Sequence, residues 1–144
     1  MLAVAASAAS AAPGSAEATC RPTRADALGP FYEAGAPVRS SVGSGYTLTG
    51  TVRAAGTCRA IRRARIEFWL ANPGGEYDDA HRATVIASRA GRYRFTSNRP
   101  VPYGGRPPHI HVRVTARGFR PLVTQHYPRP GRTSARFNLV LRRR

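Results

Sequence analysis

The chain has 144 residues, a size that suits one compact domain able to bury roughly two thirds of its unfolded surface. It carries 23 Lys and Arg against 7 Asp and Glu, a formal charge of +16, and all 23 of those bases are arginine. No apolar run approaches the roughly 20 residues of a membrane span. The arginine clusters Arg59–Arg65 and Arg142–Arg144 lack the interleaved aromatics of a single-strand-binding surface, and no helix-turn-helix, zinc-finger or RNP pattern is present. Neither a nucleic-acid nor a membrane partner is expected, and the arginine excess reads as a compositional bias that leaves a general attraction for anions.

Residues 1–19 are small and apolar and resemble the core and cleavage zone of a secretory signal, with Ala-Ser-Ala and Ala-Ala-Pro as exits; the missing basic n-region leaves open a true start upstream or a disordered Ala/Ser tail. Export is the expectation, with residues 20–144 as a single domain. Glu17 stands where a lipoprotein box needs an aliphatic residue, so Cys20 is not read as a lipid anchor. Cys20 and Cys58 are the only cysteines. In an exported chain they suggest one disulfide tying the N-terminal arm to the first hairpin; in a reducing compartment they are two unrelated thiols.

The arm that follows holds two prolines and four glycines between Gly29 and Gly45, which rules out a long helix. Alternating and strand-forming runs then begin: residues 46–52, 64–71, 83–88, 92–96, 109–115, 121–127 and 135–141. About seven or eight short strands, long loops and little helix predict an all-β antiparallel β-sandwich.

The run RPPHIHVRV, Arg106–Val114, carries the chemistry. In a strand, residues two apart share a face, so His109 and His111 project together while Ile110, Val112 and Val114 point into the core. Two imidazoles on one rigid strand can reach one ion, but the pattern alone also fits one surface histidine and one satisfied polar group. A cupin-type site is disfavoured, because Tyr103 stands where its glycine belongs and no glutamate follows. Structural zinc is disfavoured by the absence of a Cys-x-x-Cys pair. Tyr103, on a Pro/Gly turn, and Tyr77, on the loop after the Trp69 strand, are the nearest further donors. A phenol ionises near pH 10 unless a metal lowers that value. Two phenolates with two imidazoles favour Fe(III) over zinc or copper.

Together, GPFYEAGAP, FWLANPGGEYDD, AGRYRFTSNRPVPYGGRPPHIHVRV and LVTQHY resemble the intradiol ring-cleavage dioxygenases, non-haem Fe(III) enzymes that open catechol-type rings. The resemblance runs from about Gly29 to about Leu141. It implies a metal set of Tyr77, Tyr103, His109 and His111. It further implies a catalytic Arg106 that stabilises charge on the attacked ring, and a catalytic Gln125 that orders hydroxide or substrate. Tyr32 is implied near the substrate. Trp69 and Tyr93 read as packing residues. By the same resemblance the partners are an aromatic diol and O2. The diol binds as a dianion, Tyr103 leaves the iron as the proton acceptor, and the ring opens between its hydroxylated carbons to a cis,cis-muconate-type product. By this resemblance the helical N-terminal region of the catechol and hydroxyquinol enzymes is not expected, and the compact form looks more like exported members. The sequence sets neither the particular diol nor the oligomeric state. The competing readings are a non-catalytic sandwich that serves as a binding module, and an arginine-rich polyanion binder.

Overall fold

The computed structural model describes residues 19–144; all of the signal-like segment except Thr19 lies outside the described residues. Eight strands follow the arm: β1 (Tyr46–Ala54), β2 (Arg65–Trp69), β3 (Arg82–Ile86), β4 (Arg92–Ser97), β5 (Ile110–Thr115), β6 (Leu122–His126), β7 (Ser134–Arg136) and β8 (Leu139–Leu141). The one helical element among the described residues is a single 3₁₀ turn, Asp79–His81. The all-β sandwich expected from the alternating runs is what forms. One sheet has the order β3-β2-β5-β6 and is antiparallel throughout. The other is mixed: β4 pairs antiparallel with β1, whereas β7 and β8 run parallel to it.

Period-2 burial explains the packing. Tyr46, Leu48, Val52, Phe95, Leu139 and Leu141 from one sheet meet Ile66, Phe68, Ile110, Val112 and Val114 from the other. Phe68 and Phe95 stack across the interface with centroids 4.3 Å apart. Burying such side chains contributes roughly 1.5–3 kcal/mol each.

Two local expectations change. The run 135–141 is not one strand but two, broken at Phe137 and Asn138. Thr49 accepts a backbone bond from Phe137 (2.7 Å), and the Asn138 side-chain oxygen, not a carbonyl, receives the Thr51 amide at 3.0 Å. Gly50 permits this, since a Cβ there would strike the Phe137 carbonyl and the Tyr93 ring. In addition, β1 and β2 form no hairpin; they belong to opposite sheets. Cys20 and Cys58 are joined in a disulfide that ties the arm to this sheet-crossing connection instead.

The arm lies along the outer face of the β3-β2-β5-β6 sheet. It is held at the β6 edge by the Asp26 amide on the Val123 carbonyl (2.9 Å) and the Thr124 hydroxyl on the Arg24 carbonyl (2.8 Å), at the β3 edge by the Thr84 amide on the Pro37 carbonyl (2.8 Å), and across the face by the Gln125 side-chain amide on the Ala27 carbonyl (2.8 Å). A sheet face that would otherwise meet water thus becomes a second buried layer. Its content is polar: Glu67, Thr84, His109, His111 and Gln125 are all buried. Unlike the apolar core, this layer has to satisfy hydrogen bonds and charges.

Candidate metal and active site

Strand pairing builds the centre of this layer. Trp69, His111 and Gln125 stand in one row across β2, β5 and β6. The row below pairs Glu67 with Arg113. Side chains in one row share a face and lie within direct reach of one another. Trp69 stacks on the His111 ring, 5.0 Å between centroids and 7° between planes, so this tryptophan lies against the site as well as packing. Tyr93 remains a packing residue in the core.

The two tyrosines arrive on loops with defined geometry. Tyr103 and Arg106 bracket Gly104-Gly105, with reciprocal backbone bonds from the Arg106 amide to the Tyr103 carbonyl (2.8 Å) and back (3.3 Å). Both glycines have positive φ, 54° and 75°, the pattern of a tight turn that disfavours side-chain-bearing residues. The turn sets Tyr103 and Arg106 opposite each other, as paired strand residues are. Tyr77 sits on the loop after β2, which Asn72 organises: its side-chain oxygen receives the amides of Gly74 (2.9 Å) and Glu76 (3.0 Å). Phe31 of the arm stacks flat on the Tyr77 ring at 4.4 Å.

Four donor atoms converge. Tyr103 Oη lies 3.0 Å from His109 Nε2, Tyr77 Oη lies 3.4 Å from the same nitrogen, and His109 Nε2 lies 3.1 Å from His111 Nε2. The two phenol oxygens are also in direct contact. His109 Nδ1 donates to the Pro107 carbonyl at 2.8 Å, so the proton is on Nδ1 and Nε2 presents its lone pair. Burial pushes the pKa of His109 down, and that of His111 down to about 4, with the neighbouring His109 and Arg106 adding to the second effect. Both rings are neutral at neutral pH. Burial, followed by the hydrogen bond with Tyr103, pushes the Tyr77 phenol up.

Hydrogen bonding alone does not account for this cluster. If the His111 proton is on Nδ1, two Nε2 lone pairs face each other; if it is on Nε2, a buried Nδ1 acceptor is left. Either way Nδ1 has no partner among the described residues. A cation among the four atoms removes the conflict between the facing lone pairs, with the His111 proton then on Nδ1. Two ligands at about 2.1 Å from one ion, at angles of 90–110°, are themselves about 3.0–3.4 Å apart, which is the spacing of the three contacts that involve His109; the two phenol oxygens lie closer than that. The donor set, two hard phenol oxygens and two imidazoles, fits a highly charged iron. Among the described residues no group of three His, Cys, Asp or Glu side chains converges, so the tyrosines are what complete the cluster.

The other expected residues lie around this centre. Arg106 Nη2 donates to Gln125 Oε1 at 2.7 Å and to Tyr127 Oη at 3.2 Å. The Gln125 amide nitrogen donates to the Ala27 carbonyl at 2.8 Å, so the glutamine clamps the arginine to the arm. Tyr32 donates its phenol to Glu67 Oε1 at 2.9 Å and packs on Trp69. It lines a cavity of about 290 Å3 with Phe31, Glu33, Trp69, Tyr77 and Arg82.

Sequence reasoning missed three participants. Tyr127 donates to Asp26 at 2.6 Å and thereby orders the partner of Arg106; the hydrogen bond from Tyr127 is the main reason the Asp26 carboxyl lies below its usual value. The spacing of Tyr127 two residues after Gln125 was a usable signal. Asp26, on an aperiodic arm, gave none. Gly29 is the third: a Cβ there would come within 3.2 Å of His111 Cε1.

No protein-family model matches the chain. The chlorocatechol 1,2-dioxygenase of Pseudomonas putida is 30% identical over 69% of this chain and 51% of its own. The hydroxyquinol 1,2-dioxygenase of Rhodococcus opacus is 32% identical over 71% of this chain and 45% of its own. Among solved structures, the dioxygenase domain of a dioxygenase and carbohydrate-binding protein fusion from Streptomyces sp. SirexAA-E superposes with a TM-score of 0.77. It has 26% identity, covering 86% of this chain and 100% of that one. These relatives are named as 1,2-dioxygenases or a dioxygenase domain, and the superposed domain shares the β-sandwich fold. The chain belongs to the intradiol ring-cleavage dioxygenase family. It spans about half the length of the curated relatives it matches.

Proposed function

We propose that the protein is a non-haem Fe(III) intradiol dioxygenase. It would open an aromatic 1,2-diol between the hydroxylated carbons with both atoms of O2, giving a muconate-type diacid. The observation that carries this is the convergence of Tyr77 Oη, Tyr103 Oη, His109 Nε2 and His111 Nε2 on one point. Those four residues would hold the iron, which supplies Lewis acidity and an electron-accepting centre when bound. Tyr103 Oη, on the tight turn, is positioned to take a proton from the incoming diol. Arg106, held by Gln125 and Tyr127, stabilises negative charge on the ring in a site that the arm shields from water.

The cavity beside Tyr77 would receive the ring, and at about 290 Å3 it is at the small end of ligand pockets. Glu33, Asp78 and Asp79 line it, and its one arginine, Arg82, already pairs with Asp79 at 2.9 Å and Glu33 at 3.7 Å. That charge balance favours an uncharged diol, as the names of the chlorocatechol and hydroxyquinol relatives also do, over a carboxylated ring. The Cys20–Cys58 disulfide supports an oxidising, exported location.

The test is the visible spectrum of iron-loaded protein before and after anaerobic catechol, with oxygen uptake measured in parallel. A tyrosinate-to-iron band that shifts on adding the diol, followed by stoichiometric O2 consumption, is the expected result. Tyr103→Phe should move the band and slow turnover. A colourless protein in the presence of ample iron would leave a binding module with the family's shape. Catechol should exceed protocatechuate in kcat/KM; the reverse order would place the ring elsewhere.

A further inference from the structure

The outer face of the mixed sheet has a character of its own. By register, Thr49 stands between Arg94 on β4 and Arg136 on β7, and Thr51 stands beside Arg92. With strands about 4.8 Å apart, Arg94 and Arg136 straddle β1 at about 10 Å. Arg53 continues the row. A cleft of about 570 Å3 lies on this face, lined among others by Thr49, Thr51, Arg53, Arg92, Arg136 and Asn138.

Three observations make it a binding site rather than a solvated surface. First, the cleft has no acidic lining. The six described acidic residues, Asp26, Glu33, Glu67, Glu76, Asp78 and Asp79, all lie on the arm, on β2 or between β2 and β3. A uniform arginine bias would not segregate the acids in this way. Second, the side chains of Arg92, Arg94 and Arg136 make no hydrogen bond or ion pair among the described residues, while that of Arg53 donates only to the Cys58 carbonyl, at 3.0 Å. Third, Thr49 and Thr51 line the cleft together with Arg53, Arg92 and Arg136, so hydroxyl-bearing and guanidinium-bearing residues share one surface.

We infer that this cleft docks a carboxylated polysaccharide. Arginine forks match carboxylates in bidentate fashion, and the threonine hydroxyls can pair with sugar hydroxyls. Other polyanions fit less well. The one aromatic in the cleft, Tyr93, is buried and its hydroxyl donates to the Phe137 carbonyl, so there is no platform for stacking bases. No helix N-terminus offers amides to a phosphate here. The exposed large apolar side chains, Leu28, Phe31, Val38, Ile86 and Tyr127, belong to the arm, β3 and the β6 end, and none lies in the cleft to enter a lipid surface. Residues 1–18 hold a single carboxylate, Glu17, too few to balance the three guanidiniums of the cleft. Attachment here leaves the iron-binding side of the sandwich open, and it does not depend on the catalytic proposal.

The test is titration of the full chain with an oligogalacturonate of about ten sugars at fixed ionic strength. Arg92→Ala/Arg136→Ala is compared with the charge-matched pair Arg117→Ala/Arg120→Ala from the β5–β6 connection. The cleft pair should weaken binding about tenfold or more, the control pair less than threefold, with melting temperatures and catechol turnover unchanged in both. Equal weakening by the two pairs would assign the attraction to bulk charge and overturn the inference. Tighter binding of single-stranded DNA or of anionic phospholipid vesicles than of the oligogalacturonate would overturn it as well.

Discussion

Arg106 owes its position to residues far from it in sequence. Its guanidinium is fixed by Gln125 and by Tyr127, and Tyr127 is in turn fixed by Asp26, 101 residues earlier. An arginine tethered through two neutral acceptors keeps its full charge, whereas a direct carboxylate partner would cancel it. Arg106→Ala should therefore lower kcat by about 10²-fold, and an unchanged kcat would exclude the charge-stabilising role. Asp26→Asn keeps the shape but weakens the hold on Tyr127. A loss of about tenfold, smaller than for Arg106→Ala, is expected in kcat with KM nearly unchanged, because Asp26 acts only through Tyr127 and Arg106. A change confined to KM would make Asp26 part of the binding surface instead. The four donors and Arg106 were legible in the sequence because strand period and motif order place them together. The ties among Asp26, Tyr127 and Arg106, and those of Tyr32 and Arg113 to Glu67, were not. They join residues that only the folded arm and the β2–β5 register bring within reach.

Among the elements, the strands were readable because alternation reports one buried face, and burial follows that alternation closely in β4, where Tyr93, Phe95 and Ser97 point inward. What alternation does not encode is which sheet a strand joins. That choice is made by the connections, and for β1 and β2 the connection is pinned by Cys20–Cys58. Closing a loop of 38 residues contributes about 4 kcal/mol on the chain-entropy account. Cys58→Ser should lower unfolding stability by about 2–4 kcal/mol, read by chemical denaturation with and without reductant. A variant as stable as the oxidised protein would mean that backbone pairing alone holds the arm. The arm itself was legible only as non-helical. Its burial of a polar sheet face has no periodic signature, since its bonds to the sheet are made largely by backbone groups that every sequence has. The Gly104-Gly105 turn allows a sharper test. Gly105→Ala places a side chain at φ 75° and should destabilise by about 1–2 kcal/mol. It should also move the tyrosinate band, because Tyr103 is aimed by that turn.

For the whole molecule, the two buried layers respond differently to acid. The apolar layer contains one titratable group of consequence, His126, whose Nε2 meets the Tyr46 hydroxyl at 2.7 Å and whose ring lies 5.1 Å from that of Phe137. Burial pushes its pKa down to about 4 from an ordinary 6.5. The unfolded chain therefore binds a proton that the folded chain refuses throughout that interval. Stability is highest above pH 6.5 and falls as the pH drops toward 4. At 1.36 kcal/mol per pH unit the total loss is about 3 kcal/mol. Below pH 4 this contribution is flat. His111 titrates over the same interval through the polar layer, so the two must be separated. His126→Gln retains a hydrogen-bonding partner for Tyr46 but does not titrate. In iron-free protein the drop in stability between pH 7 and pH 5 should be smaller for the variant by about 2 kcal/mol, the share of the loss that falls in that range. Superimposable pH profiles for the two proteins would show that the sandwich core admits the charged imidazole, and would place acid sensitivity wholly in the polar layer beneath the arm.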